Sequence, residues 1–155
     1  GVLFDLTIHD VDLIKNISNS TPISVYASGG NFINKNNEDY VNVLINFKNG
    51  ITGLCQTNWL TPFRIRDLSI TTDNNYILAN YLSQEVEVRS SGKDTDTVFK
   101  LEIERQESLK SELVDFLSSV VLNKEPKVSG SDGLEAVKIV EAAQLSLKEN
   151  RLITL

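Results

Sequence analysis

The one histidine of this 155-residue chain, His9, follows Asp5 by four positions, and Asp12 and Asn16 continue the same polar line. At helical spacing the Asp5 carboxylate would lie beside the His9 ring. A carboxylate next to an imidazole fixes its tautomer and favours its protonated form. Such a pair can take a proton from a substrate hydroxyl near neutral pH. The plainer reading makes His9 a satisfied core or surface histidine and Asp5 a favourable charge in a first helical turn. Two groups do not complete a metal site, so no metal is expected. Asn58, Trp59, Arg64 and Arg66 form a second set, expected to cluster at a strand end and turn. Paired arginines suit a phosphate or carboxylate through bidentate hydrogen bonds. The competing reading has Trp59 filling a sheet interface and the arginines making surface ion pairs. Cys55 is the only cysteine, which excludes an internal disulfide and a cysteine-based metal cluster. No second histidine accompanies it, so a thiol nucleophile is not expected.

The elements that would hold these groups follow from periodicity. An apolar helix is expected over residues 3–17, with Pro22 forbidding continuation. On a wheel, Val2, Leu6, Leu13 and Ile17 fall on one side, and Phe4, Ile8, Val11 and Ile14 on another. A helix apolar over so wide an arc packs on more than one side, with the polar line between the arcs. About seven strands follow, roughly at 23–27, 39–47, 51–59, 64–72, 76–82, 85–89 and 97–103, with a Gly/Asp/Thr loop before the last. Asn49-Gly50 supplies the residues of a type I′ hairpin turn. The register around it puts Phe47, Ile45 and Val43 on a face with Thr52, Leu54 and Gln56. Tyr40, Asn42, Leu44 and Asn46 then share the other face with Gly53, Cys55, Thr57 and Trp59. Two helices close the chain, at 108–122 with Ser108 as N-cap, and at 134–150, where Asp132 and Glu135 have capping-box spacing.

This order predicts a single α+β domain over residues 1–155. A large, mostly antiparallel open sheet carries helices on one face, and the other face serves oligomerisation. Hydrophobic residues at 41% suffice for a core. A net charge of −6 without a basic stripe excludes nucleic acid as a main partner. No apolar run approaches the ~20 residues of a membrane helix, and no signal-peptide pattern is present. With a single cysteine, the expected location is the cytoplasm. The chain contains no methionine, so a stretch upstream of Gly1 is expected.

The opening GVLFDLTIHDVDL resembles the start of the C-terminal domain of Gfo/Idh/MocA oxidoreductases, whose usual form is G-G-x-hydrophobic-x-D-x-x-x-H-x-x-D. The tail, with EPKVSGSDG between two helices and Ser146 after a pair of alanines, is similar to the family's closing helices. The resemblance implies NAD- or NADP-dependent oxidation or reduction of a sugar, cyclitol or nucleotide sugar. His9 would be the general base, Asp5 would orient it or bind a neighbouring hydroxyl, and Asp12 matches the motif's third polar position. The cofactor would be held mainly by an N-terminal Rossmann domain that carries an E-K-P lysine. This chain has no G-x-G-x-x-G after a strand and no E-K-P; Lys124-Glu125-Pro126 has those residue types in another order. The isolated chain is therefore expected to be inactive. NWLTPFRIRDL is similar to a W-x-x-P-x-R-x-R segment of members acting on UDP-activated amino sugars, which implies substrate binding by Asn58, Trp59, Arg64 and Arg66. The family commonly pairs sheets face to face, so a homodimer or homotetramer is implied. A reading of another class makes the chain a non-catalytic oligomerisation module that kept the fold.

Overall fold

The computed structural model describes residues 1–92 and 95–155. The loop expected before the last strand runs over residues 93 and 94, which lie outside the described residues. The chain divides into two compact units, residues 1–61 with 125–155, and residues 62–124.

The first unit begins with a π-helical turn, Leu3–Thr7, that runs into α1 (Ile8–Ser18). The Ile8 N–H reaches back five residues to the Leu3 carbonyl. Residues five apart therefore align, and Val2 and Thr7 are both fully buried. The Thr7 hydroxyl donates to the Val2 carbonyl at 3.3 Å and meets the Thr57 hydroxyl. With the Thr7 proton committed to Val2, Thr57 is the donor of that second bond. The expected single α-helix is thus a helix whose first turn is widened to sink a threonine into the core. Asn19 ends α1 in the left-handed conformation, a common stop.

Three long strands follow: β1 (Pro22–Gly30), β2 (Tyr40–Phe47) and β3 (Thr52–Asn58). The short β8 (Ile153–Thr154) completes an antiparallel sheet of order β3-β2-β1-β8. The hairpin register differs from the sequence expectation by one residue. Phe47 N–H donates to the Ile51 carbonyl, so Lys48, Asn49 and Gly50 form a three-residue loop. Gly50 sits at φ +87°, the left-handed position such a loop requires. Val43 now faces Cys55, Ile45 faces Gly53 and Val41 faces Thr57. A one-residue slip exchanges the faces of the whole strand. Cys55 and Thr57 consequently lie in the interior, and Leu54 is exposed beside Leu44, Asn42 and Gln56. Burial pushes the Cys55 thiol up to about 12, so it stays protonated and inert.

Helix α3 (Gly130–Glu149) covers the apolar face with α1. Ser129, not a residue near 134, starts it. Ser129 accepts from the Asp132 N–H while the Asp132 carboxylate accepts from the Ser129 N–H, a complete capping box. The core is one cluster of Leu3, Val11, Val25, Val43, Ile45, Phe47, Ile139 and Val140 with their neighbours. Gly53 admits α1 to the sheet: a Cβ there would lie 2.4 Å from Ile14 Cγ2. Buried Ser146 clips α3 to β1 by accepting the Ala27 N–H and donating to the Arg151 carbonyl. Lys15 bridges the two helices through Asp132 and Glu135.

The second unit holds an antiparallel sheet of order β4-β5-β6-β7: β4 (Asp67–Thr71), β5 (Asn75–Asn80), β6 (Glu85–Ser90) and β7 (Thr97–Leu101). It also holds α2 (Ser108–Leu122). Its N-cap is Glu107 rather than Ser108; the Glu107 carboxylate accepts the Lys110 N–H at 3.1 Å. The α+β class stands, with the strands shared between two four-stranded sheets instead of one. Among the described residues no helix is long and apolar enough to cross a membrane.

Candidate functional site

The widened turn decides where the polar line points. Asp5 and His9 are exposed, Asp12 is half-buried and Asn16 is exposed. Burial of Val2, Leu3, Thr7 and Val11 holds the opposite side of this segment against the core. No hydrogen bond or ion pair joins Asp5 to His9, and His9 makes none with any described residue. The Asp5 carboxylate instead accepts the indole N–H of Trp59 at 2.9 Å. Sequence spacing suggested a helix neighbour for Asp5; the structure supplies a partner from the end of β3.

Trp59 is itself held. Its backbone N–H donates to the Asp39 carbonyl at 2.9 Å, and the Asp39 N–H donates to the Gly30 carbonyl. The buried Asp39 carboxylate gathers the N–H groups of Phe32, Ile33 and Asn34. The Asn34 N–H above all, and the other two with it, hold the Asp39 carboxyl below its usual range against the opposing effect of burial. Next to it, Glu38 grips the start of the helix. Its carbonyl accepts from Val2 N–H at 3.1 Å and its carboxylate from Leu3 N–H at 3.0 Å. Helix starts leave such N–H groups without intrahelical partners. One loop, residues 31–39, therefore anchors both the helix that carries Asp5 and the tryptophan that binds it. Sequence reasoning gave no role to Glu38 or Asp39, the second being read as the first residue of a strand. The one signal was an acidic pair placed between a glycine-ended strand and the next.

The remaining expected residues are divided between the two units. The Asn58 side-chain oxygen accepts from the Leu60 N–H, the Thr61 N–H and the Thr61 hydroxyl, so it holds its own turn. Asn58 and Trp59 belong to the first unit, and Arg64 and Arg66 to the second. Both arginines are exposed and form no ion pair with described residues. A cavity of about 700 Å³ in the second unit is lined by Asn75, Arg89 and Ser90 among others and contains none of the expected site residues. Among the described residues no group of three or more His, Cys, Asp or Glu could hold a metal ion.

Comparison with known proteins gives this geometry a family. Residues 1–77 match the family model of the GFO/IDH/MocA C-terminal domain. The chain is 28% identical over 157 residues to an uncharacterized oxidoreductase, YrbE, of Bacillus subtilis, covering 95% of this chain and 46% of that protein. It is 26% identical over 164 residues to a myo-inositol 2-dehydrogenase of Thermotoga maritima, covering 100% and 49%. Its fold superposes on UDP-N-acetylglucosamine 3-dehydrogenase GnnA of Acidithiobacillus ferrooxidans with a TM-score of 0.87, at 18% identity, over 96% of this chain and 48% of that one. The chain thus spans about half the length of the curated relatives it matches. The opening motif and the α+β fold agree with these matches, and residues 1–77 carry the GFO/IDH/MocA C-terminal domain.

Proposed function

We propose that this chain is the substrate-binding and oligomerisation half of an NAD- or NADP-dependent oxidoreductase acting on a sugar, cyclitol or nucleotide sugar, in the cytoplasm. One observation carries the reading. His9 is an exposed imidazole with no partner among the described residues, on the same helix as a carboxylate that is clamped in place. A core histidine satisfies its ring nitrogens within the protein; both ring nitrogens of His9 are open to solvent and so accessible to a ligand. In this role His9 takes the proton of a substrate hydroxyl, and Asp5 accepts a hydrogen bond from a neighbouring hydroxyl or from the imidazolium. Asp12 extends the polar line along the same helix.

Both described sheets are antiparallel, and no phosphate-cradling glycine loop follows a strand. The residues present do not fit a dinucleotide, so the nicotinamide cofactor belongs to another domain and the chain alone turns nothing over. The relatives' names, a myo-inositol dehydrogenase and a UDP-N-acetylglucosamine dehydrogenase, support a polyhydroxylated substrate. Arg64 and Arg66 suit a diphosphate if that substrate is a nucleotide sugar. The open face of the first sheet mixes Tyr26, Leu44 and Leu54 with Ser28, Asn42 and Gln56. That composition supports a homodimer or homotetramer with sheets face to face.

The test is His9→Asn in the full-length enzyme, assayed with NAD and NADP against myo-inositol, glucose and UDP-N-acetylglucosamine. We expect kcat to fall roughly 10²–10⁴-fold, the weight of a positioned acid–base group, with an unchanged unfolding midpoint. A kcat within a factor of a few of the parent would make His9 structural.

A further inference from the structure

We infer that Trp59 is a positioning residue that sets the orientation of the Asp5 carboxylate, not a surface on which substrate rests. The inference rests on the reading of Asp5 and His9 given above. An exposed aspartate on a helix has several staggered side-chain rotamers open to it. Asp5 has one protein partner among the described residues, the Trp59 indole, so that N–H alone selects its rotamer. An indole N–H is donor only and cannot compete for the proton of a ligand hydroxyl. A bond from it to an ionised carboxylate is of the stronger, charge-assisted kind.

The tryptophan can act this way because its other end is fixed. Its backbone N–H is tied to the Asp39 carbonyl, and Asp39 is tied to Gly30 and, through its carboxylate, to three consecutive N–H groups. Glu38, one residue earlier, holds the backbone of the turn from which Asp5 projects. Both ends of the Trp59–Asp5 bond are therefore referred to the same dipeptide, and their separation is set by short, rigid links. The bond occupies Oδ2 and leaves Oδ1 for a ligand hydroxyl or an imidazolium.

The experiment compares Trp59→Phe, Asp5→Ala and the double variant in the full-length enzyme, with myo-inositol, glucose and UDP-N-acetylglucosamine as the sugars offered. Trp59→Phe keeps an aromatic ring but removes the N–H together with the fused five-membered ring that carries it, and the double variant separates the lost bond from the lost bulk. We expect it to lower kcat by on the order of 10–10²-fold, the cost of a small misplacement of a reacting group, with KM within about threefold. The double variant should be no slower than Asp5→Ala alone. In the ¹⁵N–¹H spectrum, the indole resonance that Trp59→Phe removes should move upfield in Asp5→Ala.

A KM that rises while kcat holds, or losses that multiply in the double variant, would overturn the inference and leave the catalytic role of Asp5 standing. So would an indole resonance that ignores Asp5→Ala. If Asp5→Ala itself leaves kcat intact, or no sugar is turned over, the underlying reading fails and the positioning role falls with it.

Discussion

The two units are built from equally regular elements and differ in what lies beneath them. In the first, Phe47, Ile45 and Val43 on the sheet and Ile139 and Val140 on α3 are at most 1% exposed. In the second, Val88 is the only described hydrophobic residue that is buried, at 8%. Its helix leaves Phe116 59% and Val121 80% open to solvent. Strands β4–β7 nevertheless pair residue for residue without a register break. Ladder hydrogen bonds and caps are enough to define secondary structure, whereas rigidity comes from close packing around it. Asp5, His9 and Trp59 all belong to the packed unit. A site that must hold its groups within a fraction of an ångström is best placed on such a frame.

The contrast can be tested by unfolding single variants in urea. Phe47→Ala removes a fully buried ring and should cost about 3–5 kcal/mol, whereas Phe116→Ala on α2 should stay within about 0.5 kcal/mol. Equal costs at the two positions would erase the distinction between the units. Gly53→Ala should cost about 1–3 kcal/mol by overpacking, because the new methyl meets the stiff, branched Ile14 side chain. Adding Ile14→Ala should return part of that loss if the contact is its source. Gly50→Ala should cost about 1 kcal/mol from the left-handed backbone alone, since no atom lies within 4 Å of the new Cβ. The pair separates a packing penalty from a conformational one inside a single hairpin.

The smallest effect concerns acid. Hydrogen bonds from the Ser129 side chain and backbone, and then from Lys15, hold the Asp132 carboxyl well below the usual range. A carboxyl depressed in the folded state contributes stability above its unfolded value, and that contribution is lost as pH falls through the folded one. Asp132→Asn should therefore lower the midpoint slightly near pH 7 and make it less sensitive to pH below about 4. An acid limb as steep as the parent's would assign the sensitivity elsewhere, with Asp39 the next group to test.

Much of this was legible because it rests on local rules. Strand-like runs marked seven strands, and Asn49-Gly50 marked a hairpin. The loop length was not legible: Asn-Gly serves two- and three-residue turns alike, and the choice lay in whether Gly53 or Leu54 could face α1. Only glycine lets that helix approach so closely, a tertiary fact that outweighs turn preference. The start of α3 was missed because Gly130 and Gly133 read as loop, although Ser129 and Asp132 carry the reciprocal cap. Type and spacing singled out His9 and Asp5 as candidates, but the bond expected between them is not formed. The bond from Trp59 to Asp5 joins residues 54 positions apart and has no local signature.

The widened turn over Leu3–Thr7 has a consequence for how the domain can vary. An i→i+5 ring holds one residue more than an ordinary helical turn, so it works as a phase shifter between two lengths of helix. Downstream of it, α1 keeps the seam that fits the sheet; upstream, Val2 and Leu3 keep their own place in the core, held by Glu38. Deleting one residue inside the turn would close it to an ordinary i→i+4 turn and leave both flanks in register, so only the residues within the turn, Asp5 among them, would change direction. A single-codon deletion here is a step by which evolution, or a protein engineer, can change where Asp5 points relative to His9 without rebuilding the core.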